Sequence, residues 1–455
     1  MRRAKIVATI GPAISSYENL SQAIRSGMNV ARLNMSHGDH SVHDASYENL
    51  RRASADAGQT VAILADLQGP KIRLGRFADG PHELLPGDVF SITVEDVEGT
   101  ASLCSTTHKA LPGDVNVGDP LLIDDGRVAL RATAVSDTTV TTEVVVGGAV
   151  SNNKGINLPG VAVNVPALSE KDEEGRRLPV IAKIEKPQAV DALHEIIDAF
   201  DGIMVARGDL GVELPLEQVP IVQKRAIELA RRWAKPVIVA TQVLESMIES
   251  PRPTRAEASD CANAILDGAD AVMLSGETSV GKYPFEAVRT MARIITNTEE
   301  NGADRILPLG TIPHTRGGAI TRAAAEIGDQ LSAQYLVTFT ESGDTARRLS
   351  RLRPTIPLLA LTPYPEIARQ LSLTWGIESH LVPMQSDTDA MVGKVDDLLR
   401  EQKGLQKNDL VIVAAGSPPG VHGSTNTLRV HRIGDLDGTE SARIEASNIA
   451  AGPQA

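Results

Sequence analysis

Over its first 310 residues, apart from one long interruption, the chain alternates short apolar runs with stretches of helical periodicity, and this alternation limits what it can fold into. The runs fall at 5–10, 29–33, 61–64, 180–184, 202–205, 236–240 and 271–274. Strands alternating with amphipathic helices read as βα units and predict a parallel sheet. The alternation breaks between about Gly69 and Pro166, where Thr/Val-rich segments are punctuated by Pro86-Gly87-Asp88, Pro112-Gly113-Asp114, Gly118-Asp119 and Asp125-Gly126. That pattern predicts a small all-β domain inserted into the α/β one. From Thr311 a second α/β block begins, with strands expected at 335–339, 358–361, 380–382, 410–414 and 428–432. The small, polar tail from Asp435 is expected to fray.

Composition narrows the functions open to such a chain. Its 455 residues suffice for about three domains. With 2 Trp, 5 Tyr and 5 Phe, the cores must be built from Ala, Val, Ile and Leu, which suits α/β layers better than a β-sandwich. The 58 acidic and 45 basic side chains leave a formal charge of −13. General nucleic-acid binding needs cations to neutralise phosphates, so that class is excluded, and any anionic substrate must meet a local basic cluster. Cys104 and Cys261 make no disulfide framework and point to a reducing, cytoplasmic setting. The apolar run before Gly11-Pro12 is too short for a signal peptide, and no apolar stretch is long enough to span a membrane.

Polar residues gather where the expected strands end, the place where a parallel α/β barrel concentrates function. In Val30-Ala31-Arg32-Leu33-Asn34-Met35-Ser36, the strand period puts Arg32, Asn34 and Ser36 on one side. In Ile181-Ala182-Lys183-Ile184-Glu185, Lys183 and Glu185 share a face. A lysine and a carboxylate inside a barrel must be paired with each other or with a ligand. Arg207-Gly208-Asp209-Leu210-Gly211 ends an apolar strand in a Gly-bracketed turn suited to close approach of a ligand. Asp209 with Glu185 would make a two-carboxylate site for Mg²⁺. Thr241 adds a hydroxyl at another strand end, and Lys71, Arg73 and Lys154 add cations near the inserted domain. Ordinary ion pairs, helix caps and solvated surface would account for these residues one at a time. Together, Arg32, Lys71, Arg73, Lys154 and Lys183 form the basic cluster that the acidic total demands.

The same strings resemble the pyruvate kinase family: the opening Lys5-Ile6-Val7-Ala8-Thr9-Ile10-Gly11-Pro12, the segments 29–37 and 66–73, Asn157-Leu158-Pro159-Gly160, the lysine motif at 181–187, the segments 204–213, 240–247 and 252–260, and Met273-Leu274-Ser275-Gly276-Glu277-Thr278. The resemblance implies a TIM barrel of the (β/α)8 type at residues 1–69 plus 167–310, an inserted β-barrel lid at 70–166, a C-terminal α/β regulatory domain at 311–440, and a tail at 441–455. It implies transfer of a phosphoryl group from phosphoenolpyruvate to ADP, giving pyruvate and ATP, in a homotetramer. Glu185 and Asp209 would hold Mg²⁺ or Mn²⁺. Lys183 and Arg32 would neutralise the transferring phosphoryl group, and the amides of Gly208 and Asp209, helped by Thr241, would take the substrate carboxylate. Thr241 would also lie near the proton delivered to the enolate. Pro12, Asn34, His37, Arg73 and Lys154 match positions lining the nucleotide site. Asn34, Ser36, Asp66 and Leu67 fall at the family's monovalent-cation positions. Lys71 stands where the potassium-requiring branch has a glutamate, and Leu67-Gln68 where it has threonine-lysine, so activity without K⁺ is expected. In the last domain, Thr340, Ser342, Gly343 and Thr345, together with residues 416–426, resemble the effector pocket.

One βα unit is missing. The family pattern has roughly forty residues between a motif like Leu168-Ser169-Glu170-Lys171-Asp172 and the next strand, where this chain runs straight through Glu173-Glu174-Gly175. Residues 167–178, extended, reach about 40 Å, so the chain can still cross the barrel. The flanking strands must then either pair with each other or leave two open edges. Two other readings compete with the kinase: a catalytically impaired paralogue acting by ligand binding or assembly, and a Mg²⁺-dependent enolate lyase or aldolase.

Overall fold

A computed structural model describes residues 2–36, 38–67, 72–124, 126–159, 178–419, 423 and 425–435. Seven parallel strands form one curled sheet in the order Ile181–Ile184, Gly202–Ala206, Val237–Ala240, Ala271–Leu274, Lys5–Ile10, Val30–Asn34 and Ala62–Asp66. Each lies within two residues of its expected run. Among the described residues, the outer edges of Ile181–Ile184 and Ala62–Asp66 pair neither with each other nor with a further strand. Of the two outcomes expected at the missing unit, the described residues have the second: a TIM-barrel-type sheet with two unpaired edges among them.

The period of two sorts the apolar side chains of these strands. Val7, Val30, Ala62, Met204, Ile238 and Met273 pack together on the inner face. Ile6, Ile203, Val205, Val237, Val239 and Val272 pack outward against helices that include Val219–Arg232 and Pro284–Gly302. The inner cluster also includes Leu373, from the C-terminal α/β region, so that region plugs the sheet at the end opposite the candidate site. Around Leu373, Ser372 Oγ donates to Thr60 O at 3.0 Å and Trp375 N to Asp270 Oδ1 at 3.0 Å.

The inserted segment forms an antiparallel-rich sheet of six strands, ordered Ile156–Asn157, Pro120–Ile123, Val128–Val135, Thr139–Val146, Val89–Thr93 and Leu103–Ser105, around its own core of residues such as Phe90, Ile92, Leu121 and Val140. The C-terminal sheet has the order Ile377–Leu381, Leu358–Thr362, Tyr335–Phe339, Leu410–Gly416 and Thr425–Arg432, the last antiparallel. The strand expected at 380–382 begins three residues earlier, at Ile377, and ends at Leu381. Its alternating Glu378 and His380 hide it from a search for apolar runs.

Candidate active site

Lys183, on one edge strand, and Arg32, on the strand next to the other edge, meet at the carboxylate of Asp66, which that other edge carries. Arg32 Nε donates to Asp66 Oδ2 at 2.6 Å, and Lys183 Nζ lies 3.7 Å from Asp66 Oδ1. Lys183 Nζ also lies 2.5 Å from Glu185 Oε1, while Ile184 between them is fully buried on the other face. Burial opposes the charge on Lys183, but Glu185, Asp66 and Asp209 outweigh it and hold the ammonium above the ordinary lysine range. The same interaction places Asp209 near this group. Arg32 Nη1 donates to Thr9 Oγ1 at 3.0 Å, and Thr9 Oγ1 in turn donates to Leu274 O at 2.8 Å, fixing the guanidinium across three strands.

Gly208 and Asp209 sit at the start of the short helix Arg207–Glu213. The Gly208 amide donates to Thr241 Oγ1 at 2.7 Å, and Thr241 Oγ1 donates to Ala240 O at 2.7 Å. A Cβ at Gly208 would lie 3.2 Å from that hydroxyl, a tight contact that would push the threonine side chain back by a few tenths of an ångström.

Thr241 and Gln242 adopt φ of +66° and +53°, a left-handed turn that a β-branched residue disfavours. Arg207 and Asp260 hold it, and Glu277 and Glu257 hold the residues that follow; none of the four is assigned a role from the sequence. Arg207 bonds the carbonyls of the turn and Asp260 bonds Arg207. Buried Glu277 accepts from the amides of Leu244 and Ser275, and Glu257 accepts from Ser246 N and Oγ. Burial holds the Glu277 carboxyl above the ordinary carboxylate range despite those amides. Arg207, Asp260 and Glu277 lie inside quoted motifs. Arg207 and Glu277 stand next to a glycine near a strand end, Asp260 stands inside the helix Arg255–Asp267, and the partners of all three become visible only in space.

The expected five-cation cluster is divided by the structure. Arg32 and Lys183 converge on Asp66, whereas Arg73 and Lys154 lie in the inserted domain, where Arg73 Nη1 donates to Asn153 O at 2.9 Å and Lys154 Nζ lies 2.8 Å from Asp124. The inserted domain touches the barrel where Asn157 Nδ2 donates to Glu213 Oε1 at 3.3 Å. Pro12 is exposed beyond the first strand, and Asn34 Oδ1 accepts from Ser36 N at 3.2 Å. Leu67 is exposed beside Asp66. His37 and Lys71 lie outside the described residues.

Among the described residues no group of three or more His, Cys, Asp or Glu side chains could hold a metal ion. Two carboxylates, Glu185 and Asp209, flank one ammonium. That donor set fits a hard divalent cation completed by water and substrate oxygens.

In the C-terminal domain, Thr340, Ser342 and Thr345 line one cleft with Gly416, Gly423 and Thr425. Thr340 Oγ1 accepts from Gly343 N at 2.9 Å, Gly343 turns the chain at φ +81°, and the hydroxyls of Thr345 and Thr425 lie 2.7 Å apart. No helix among the described residues is long and apolar enough to cross a membrane.

The chain matches the family model of the pyruvate kinase barrel domain over residues 1–178 and 172–288, and that of the pyruvate kinase alpha/beta domain over 318–431. The break in the barrel match falls where the βα unit is missing. A pyruvate kinase of Mycobacterium intracellulare is 55% identical over 470 aligned positions, spanning 96% of this chain and 99% of that protein. One from Mycobacterium tuberculosis is 54% identical over the same shares. A crystal structure of a pyruvate kinase from Cryptosporidium parvum matches with a TM-score of 0.87 at 33% identity, over 95% of this chain and 96% of that one. With both blocks of the chain matched and relatives more than half identical along nearly their whole length, this chain belongs to the pyruvate kinase family, phosphotransferases that depend on a divalent metal.

Proposed function

We propose that the chain transfers the phosphoryl group of phosphoenolpyruvate to ADP, giving pyruvate and ATP, and that Lys183 and Arg32 carry the electrostatic part of the work. The observation that carries this reading is their convergence on Asp66, Arg32 from the neighbouring strand and Lys183 from the opposite edge of the sheet. Phosphoryl transfer asks little covalent chemistry of a protein. It needs positioning and fixed positive charge where charge spreads over the transferring oxygens. Two cations oriented by one buried carboxylate meet that need without reorganising.

Glu185 and Asp209 would hold Mg²⁺ or Mn²⁺, which when bound supplies further positive charge to the reacting oxygens. Lys183 would then share Glu185 with the ion. Gly208, Asp209 and Thr241 receive the substrate carboxylate, and Thr241 stands by the carbon that takes up a proton. Arg73 and Lys154, with Pro12, Asn34 and His37, serve the nucleotide as the inserted domain closes. Lys71 replaces a monovalent cation, so turnover needs no K⁺, and a strict K⁺ requirement in a Na⁺- and K⁺-free assay would contradict this. Thr340, Ser342, Gly343 and Thr345 form an effector site. The working form is a cytoplasmic homotetramer.

A second reading, a paralogue that binds these ligands without turning them over, is favoured by the unpaired edges beside Asp66 and Lys183. ATP formation from phosphoenolpyruvate and ADP by purified protein separates the two. The kinase reading expects turnover that Lys183→Met abolishes; binding of phosphoenolpyruvate with no turnover in the wild type supports the paralogue.

A further inference from the structure

The Thr241–Gln242 turn is held in a conformation that its own residues resist. Arg207 Nη2 donates to Thr241 O at 2.8 Å and to Gln242 O at 3.4 Å. Its Nη1 lies 2.8 and 2.6 Å from the two oxygens of Asp260. One guanidinium nitrogen thus serves both carbonyls while the other meets Asp260, a fixed planar fork that the single nitrogen of a lysine lacks. The neighbouring Gly208 amide holds the other end of Thr241, its hydroxyl. Residues 207 and 208 therefore grip Thr241 by both its carbonyl and its side chain. The rest of the loop is anchored independently by Glu277 and Glu257.

We infer that Arg207 and Asp260 are positioning residues for Thr241: Asp260 neutralises and orients the largely buried guanidinium, and Arg207 keeps the turn left-handed so that the Thr241 hydroxyl stays at the Gly208 amide. This rests on the phosphoenolpyruvate reading and assigns the pair to the carboxylate half of the site, not to the nucleotide half. Loss of the grip lets the turn relax and moves the hydroxyl away, while Glu277 and Glu257 keep the loop folded.

The test is a set of kinetics on Arg207→Gln, Arg207→Lys and Asp260→Asn, alone and on Thr241→Ala, with circular dichroism and denaturation midpoints to certify folding. A misplacement of about 1 Å costs on the order of 100-fold, so Arg207→Gln should lower kcat/KM for phosphoenolpyruvate by about that factor, with KM for ADP within about twofold. Asp260→Asn should cost about tenfold, because the neutral amide still orients the guanidinium. Residues acting as one unit are non-additive, so on Thr241→Ala the Arg207→Gln change should cost less than about threefold. Penalties that multiply in the double variant, equal losses toward ADP, or unchanged activity in Arg207→Gln would each overturn the assignment. If Arg207→Gln does not fold, Arg207→Lys and Asp260→Asn carry the same comparison. An inactive wild type would fail the underlying reading instead, and the cycle is then read in phosphoenolpyruvate affinity by titration calorimetry with the same expected pattern.

Discussion

Lys183 Nζ stands 3.7 Å from Asp66 Oδ1 across the gap where, among the described residues, no strand joins the two edges of the sheet. Backbone hydrogen bonds hold every other neighbouring pair of strands in register, but here a side-chain ion pair spans the opening. Asp66, 6% exposed, also binds Arg32, so one carboxylate sets the separation of two cations that the barrel's own ladder does not.

Removing that carboxylate charge should disarm the site. Asp66→Asn breaks the buried Arg32 pair and leaves Lys183 with Glu185 alone, and breaking a buried pair costs about 3–5 kcal/mol. We expect a lower denaturation midpoint and ATP formation reduced on the order of 100-fold, with the residual activity insensitive to Lys183→Met. Wild-type turnover in Asp66→Asn would show that the two cations are positioned by something else.

The raised pKa of Lys183 fixes the pH range over which it acts. A group whose folded pKa exceeds its unfolded value contributes stability that is complete below the unfolded value of 10.5 and disappears as pH climbs through the higher folded one. The stability difference between wild type and Lys183→Met should therefore stay flat from about pH 6 to about pH 9. Urea denaturation across that range checks it, and a slope would mean that Lys183 loses its proton earlier.

Lys5 is the opposite case. Burial, reinforced by Arg2 and opposed by Glu299, Glu378 and Asp270, lowers its ammonium to about 8, although Nζ donates to Ile377 O at 2.7 Å. Between about pH 8 and 10.5 the unfolded chain binds the extra proton, so stability attributable to this group rises with pH by about 3 kcal/mol. Below that window the desolvation cost is fully present. Lys5→Met should be more stable than wild type at neutral pH, with the advantage gone above about pH 10.5. A calorimetric series against pH would reveal it.

Gly11 has no room for a side chain. A Cβ there would lie 2.6 Å from Ser279 Cβ and Ser279 O, the carbonyl that accepts from Ala13 N at 3.0 Å. Backbone cannot swing aside as a long side chain can, so Gly11→Ala should destabilise by about 1–3 kcal/mol and displace Pro12 beside the site. A thermal unfolding midpoint equal to wild type would contradict this contact.

The strand and helix order was legible because each element carries its own periodicity. The runs around Val7, Val205 and Val239 read as buried strands, and Lys183 and Glu185 share a face because strand geometry requires it. Ile377–Leu381 was read late because its outward residues are charged. The separation of Arg73 and Lys154 from Arg32 and Lys183 was not legible, since charges far apart in sequence show no sign of which domain will carry them. Nor was the grip of Arg207 on Thr241, a hydrogen bond to backbone carbonyls that leaves no trace in residue type.

The sequence alone determined the family, the βα alternation with its inserted and appended domains, the missing unit, and which cations and carboxylates stand at strand ends, because all of these are local patterns or local absences. Only the tertiary structure decided that the described edges at the deletion do not pair with each other, that Asp66 draws Arg32 and Lys183 together there, and that Arg207 fastens the Thr241 turn. Those outcomes depend on strand pairing and side-chain reach between residues more than thirty positions apart, and there three-dimensional packing chooses among partners that the sequence leaves equal.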